Sequence, residues 1–107
     1  MGCSFRVVFH DERFDDYAGE VSFTYSTASA FNDWLFEEFG LPDDLAANER
    51  PDLMRFLDEW NEQKEYTPSF VHQIAARFPD ADATPFPGIM RLFLEAAASG
   101  VPVHCYQ

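Results

Sequence analysis

PDLMRFLDEWNEQKE, residues 51–65, carries the clearest helical period in the chain. Leu53, Phe56, Leu57 and Trp60 fall at i, i+3, i+4 and i+7, which lines large apolar side chains along one stripe. Pro51 and Asp52 suit a helical first turn, where the N–H that proline lacks has no intrahelical partner. The period therefore predicts a helix, with Asp58, Glu59, Glu62 and Glu65 on the face opposite the stripe and Arg55 among them. Asp58 and Glu62 then stand one turn apart as like charges, which destabilises by about 0.2–0.5 kcal/mol. Stability does not explain such a grouping, and the face reads as a docking surface.

Downstream, Thr67 and Pro68 form a cap and first-turn pair for a helix that presents Phe70, Val71, Ile74 and Phe78 and stops before Pro79. A further helix over Gly88–Ser99 is apolar around most of its circumference except at Arg91 and Glu95, and Gly100 ends it. Val101–Tyr106 then alternates Val101, Val103 and Cys105 against Pro102, His104 and Tyr106, the period of a half-buried strand. Pro102 places that strand at a sheet edge or is its first residue.

Upstream, Ser26, Thr27 and Ser29 are alternative N-caps for a helix that runs to about Phe39 and ends at Gly40. Its buried stripe is Phe31, Trp34, Leu35 and Phe39. Glu38 falls inside that apolar arc, so the helix frays there or the carboxylate serves something besides folding. Cys3–Phe9 and Glu20–Tyr25 both alternate with period two and should form an antiparallel hairpin across a long acidic connection, His10–Gly19. The terminal strands hide the same parity, so Cys3, Phe5 and Val7 should share a face with Val101, Val103 and Cys105. An antiparallel register with Phe5 opposite Val103 also sets Cys3 opposite Cys105. The expected fold is an α+β two-layer sandwich in one domain. A small, mostly antiparallel three-stranded sheet is covered on one face by about four helices, in the order ββααααβ.

Nineteen acidic side chains face seven basic ones in 107 residues, for a net charge of −12, yet the chain also carries 12 Phe, 4 Tyr and 2 Trp. The aromatic content supplies a core, so the charge sits on a folded object. A surface of this sign repels nucleic acid and anionic lipid and favours encounter with basic proteins. No stretch reaches the roughly 20 apolar residues of a membrane helix, and the chain reads as cytoplasmic. Cys3 and Cys105 have no metal-ligand spacing and read as reduced thiols.

Chemical motifs are sparse. The connection holding His10, Asp11, Glu12, Asp15, Asp16 and Glu20 has oxygen ligands but lacks the register and central Gly of an EF-hand. His104 and Cys105 are adjacent on a strand and point to opposite faces, so they form no nucleophile and base pair. His104 could meet Arg6 or His10 on the outer sheet face. No nucleotide loop, zinc quartet or nucleophile elbow is present, and no catalytic residue, metal or cofactor is assigned.

These readings favour a non-enzymatic binding protein that occupies a basic protein partner. Asp58, Glu59 and Glu62 are its primary patch, and Glu37, Glu38, Asp43 and Asp44 its secondary one. In size and charge the chain resembles toxin-immunity proteins and phage-encoded inhibitors, a likeness that carries no motif. Trp34 and Trp60 read as core; whichever is exposed would be the aromatic anchor. The alternatives are a small hydrolase or metal-dependent enzyme using the acidic 10–20 connection with His10 or His104, and an assembly subunit without a specific basic partner.

Overall fold

In the computed structural model, the stretch that carries the helical period is a β-hairpin, and this changes the architecture. The structure describes residues 2–8, 17–41, 49–58, 60 and 63–106, and within them not the side chains of residues 2, 3, 6, 8, 17–21 and 25. The elements run β1 (Gly2–Val8), β2 (Tyr17–Thr24), α1 (Tyr25–Phe39), β3 (Met54–Asp58), β4 (Gln63–Tyr66), α2 (Pro68–Arg77), a 3-10 turn at Ala81–Ala83, α3 (Pro87–Ser99) and β5 (Val103–Tyr106). The fold is α+β as expected, but its sheet has five strands in the order β2-β1-β5-β4-β3, every neighbouring pair antiparallel. The three-stranded sheet, the fourth helix and the order ββααααβ are therefore corrected.

The hairpin prevails over the helix for reasons outside the periodic window. In it, Phe56 and Leu57 are 36% exposed and Trp60 is 96% exposed, so the supposed buried stripe is not buried. The residues that go inside alternate instead: Met54 on β3 lies opposite Tyr66 on β4, and both are buried. Asp58 turns the chain, its Oδ1 accepting from Trp60 N at 3.0 Å, a side-chain mimic of a backbone turn. Leu57 is the extra residue of a bulge between Phe56 and Asp58. Above all, β4 supplies one of the two ladders of β5, whose four residues are all buried and whose backbone needs partners on both sides.

The position of β5 corrects a second expectation. The strand starts after Pro102, and it lies centrally between β1 and β4 rather than at an edge. It does pair antiparallel with β1, with Val7 opposite Val103 and Phe5 opposite Cys105. That register is two residues away from the expected one. A shift of two keeps parity, so Phe5, Val7, Val103 and Cys105 share the buried face. Val101 precedes the strand, and the side chain of Cys3 lies outside the described residues.

Local signals place the helices. Thr67 Oγ1 accepts from Phe70 N at 3.3 Å and caps α2, with Pro68 in the first turn. For α1 the cap is Thr24 and not Ser26, Thr27 or Ser29, its Oγ1 accepting from Thr27 N at 3.2 Å. Gly40 and Gly100 end α1 and α3 at φ 65° and 69°, a left-handed backbone that costs a residue with a Cβ about 1–2 kcal/mol. The helices pack on the face of the sheet that carries Phe5, Val7, Tyr66 and Val103. Phe5 sits among Phe31, Phe93 and Tyr66 at ring-centroid distances of 5.7, 6.4 and 6.2 Å. Burying such a ring contributes about 1.5–3 kcal/mol. Among the described residues no helix is long and apolar enough to cross a membrane.

Candidate functional site

The hairpin turn brings together Asp58 and Trp60, which the helix reading divided between a solvated face and a buried stripe. Trp60 stands in the connection between β3 and β4 with its indole in water. Asp58, at the end of β3, is partly buried and holds the backbone of Trp60. Glu59 and Glu62 belong to the same connection by sequence but lie outside the described residues. On the helix-bearing side of the sheet, Lys64 Nζ lies 5.9 Å from the centre of the Phe56 ring. Phe56 and Leu57, like Trp60, are exposed.

The opposite face explains how this end is held. Arg55, Glu65 and His104 are successive cross-strand neighbours on β3, β4 and β5, and the backbone register carries the row on to Arg6 of β1 and Glu20 of β2. Glu65 Oε1 accepts from Arg55 Nε at 3.0 Å and from Arg55 Nη2. Glu65 Oε2 lies 3.0 Å from His104 Nε2, and His104 Nδ1 lies 2.9 Å from the Tyr106 hydroxyl. An ionised carboxylate only accepts, so Nε2 donates to Glu65. Burial by itself pushes the Glu65 carboxyl up, but hydrogen bonds from His104 and Arg55, with the attraction of Arg55, hold it below the usual glutamate value.

A carboxylate, imidazole and hydroxyl in series have the mutual geometry of a proton relay. Glu65 and His104 are each 2% exposed, however, and Tyr106 is 9% exposed, so the relay presents no open atom to a substrate. It acts as a rivet through three strands, tying the hairpin to the central strand. Among the described residues no three His, Cys, Asp or Glu side chains group as a metal ion would need. His10 and the acids of the 10–16 connection lie outside the described residues, as do Asp43 and Asp44.

The secondary acidic cluster divides. Glu38 Oε2 pairs with Arg77 Nη2 at 3.5 Å, and the Arg77 guanidinium lies 5.5 Å from the Phe39 ring centre and 5.7 Å from that of Phe78. The carboxylate inside the apolar arc thus fastens α1 to the last turn of α2, where a cation is favoured by the helix dipole. Glu37 remains exposed at the end of α1, an element separate from the hairpin that carries Asp58. Trp34 is half-buried against Phe78 and Phe86 at 4.8 and 5.7 Å.

Sequence reasoning assigned Glu65 to an exposed face and His104 to an exposed cluster; both are buried and paired. The usable signal was the complementary pair Arg55 and Glu65, which becomes a cross-strand pair once the turn is set at Asp58. Compared with known proteins, the chain matches no family model, no curated protein and no solved structure.

Proposed function

We propose that the protein is a non-enzymatic binding protein that presents the β3–β4 end of its sheet to a basic protein partner. The observation that carries the reading is Trp60, 96% exposed in a hairpin connection. Tryptophan left in water gains most from a partner that covers it, and it is enriched where interfaces concentrate their energy. Sequence places Asp58, Glu59 and Glu62 around it, and a net charge of −12 selects a partner of opposite sign. Carboxylates steer the encounter, with Glu37, Glu38, Asp43 and Asp44 adding to the long-range field, while the indole sets the dissociation rate. The hairpin needs no rearrangement to bind, because the hydrogen-bonded chain from the half-exposed Arg55 through the buried Glu65, His104 and Tyr106 already holds it.

The test is kinetic. A basic protein captured on the immobilised chain at low salt is purified and its rates are measured against three forms. Asp58→Lys, Glu59→Lys and Glu62→Lys together should slow association at least tenfold, and raised salt should mimic them. Trp60→Ala should leave association unchanged and speed dissociation at least tenfold. A partner that binds all three forms alike would overturn the reading and leave the acids as a solubility feature.

A further inference from the structure

The hairpin also determines which backbone groups reach the surface. Strand β3 is the last strand on its side of the sheet. Thr67 N donates to Leu53 O at 2.9 Å, which makes Leu53 and Thr67 a hydrogen-bonded pair. Such pairs alternate along an antiparallel ladder, so Phe56, opposite Lys64, directs its N–H and C=O away from β4. Met54 has the same orientation, but its N–H is taken by Arg50 O at 3.0 Å. Phe56 is thus the residue with both backbone groups at the outer edge. Its ring is partly exposed beside them, and Asp58 follows on the same strand.

We propose that the basic partner is captured as an extended segment added antiparallel along the outer edge of β3, with an apolar residue opposite Phe56 and basic side chains beside Asp58. This rests on the reading of the hairpin as the docking end for a basic protein, and it specifies the form in which that partner arrives. The antiparallel sense continues the sheet, and antiparallel pairing is the more stable per residue. Charge selects the occupant. A second copy brings its own −12 to the same edge and is repelled, whereas a segment with Arg or Lys at one end is attracted by that charge and meets Asp58.

The probe is the peptide acetyl-Arg-Val-Arg-Val-Thr-Val-Thr-amide, titrated against the full chain by calorimetry. Antiparallel addition sets a Val opposite Phe56, so the Val N–H groups point at β3 and the Thr N–H groups point away. N-methylation of the Val residues should weaken binding at least tenfold, and N-methylation of the Thr residues should change it less than threefold. On the protein side, Phe56→Pro removes the outward N–H. Proline is tolerated where an edge N–H faces solvent, and it leaves Arg55 extended. This variant should lose at least tenfold relative to Phe56→Val, which keeps the N–H. Equal binding of the two methylated peptides would overturn strand addition while leaving the charge reading intact. A peptide that fails to bind the wild-type chain would overturn strand addition as well, and the kinetics with the captured partner would then decide the charge reading separately. A wild-type dimer abolished by Phe56→Pro would also overturn it, since the edge would then belong to a second copy.

Discussion

His104 Nε2 lies 3.0 Å from Glu65 Oε2, and through this contact two residues 39 positions apart join β5 to β4 inside the protein. The pair converts a local hairpin into the outer half of a five-stranded sheet. Its energetics follow from burial. A buried ion pair adds little against an apolar alternative, but removing one partner strands the other.

Glu65→Ala should therefore destabilise the protein by about 2–4 kcal/mol, somewhat less than loss of a fully buried pair, because the half-exposed Arg55 can turn to water. His104→Phe should cost about 1–3 kcal/mol by leaving one buried carboxylate oxygen of Glu65 short of a partner. Urea unfolding of both variants and of the double variant would measure this, and a coupling below about 0.5 kcal/mol would contradict the rivet.

The pH dependence has a definite sign. Glu65 is held below its ordinary 4.5 in the folded protein, so it binds a proton more readily when unfolded. Its contribution is complete above the ordinary value and is lost as pH falls through the lower folded one. The stability difference between wild type and Glu65→Gln should accordingly be constant above the ordinary glutamate value of 4.5 and shrink as the pH falls below it. A difference that grows on acidification would contradict the assignment.

The two tryptophans should report opposite environments. With Trp34 replaced by Phe, the remaining Trp60 should emit as a water-exposed indole and be quenched fully by acrylamide. With Trp60 replaced by Phe, emission from Trp34 should be blue-shifted and shielded, as its packing on Phe78 requires. Trp60→Ala should leave unfolding within about 0.5 kcal/mol of wild type. A shielded Trp60 would favour the helix that its sequence period suggests.

Thr67→Ala should destabilise by about 0.5–2 kcal/mol, toward the upper end of that range for a capping residue. Its hydroxyl both caps α2 and donates to Asp52 O at 2.6 Å, fastening the start of the helix to the approach of β3. Thermal unfolding would show this as a loss well beyond that of Ser69→Ala on the exposed first turn.

What could be read directly from residue order shares one property, that its cause acts within a few positions. Thr67 with Pro68 starts a helix and Gly100 stops one through bonds and backbone angles spanning at most about one turn. The parity of Phe5 and Val7 against Val103 and Cys105 was legible too, because alternation survives any even shift of register. The acids Asp58, Glu59 and Glu62 were legible as a cluster in residue order. Residues 51–65 carry a helical period of their own, and nothing within that window opposes it by more than a few tenths of a kcal/mol. Two distant demands overrule it: the unpaired backbone of β5, and the buried acceptor that His104 requires. Both lie about 40 residues away in the chain, so only tertiary pairing could turn Glu65 inward, Trp60 outward and the helix into a strand edge.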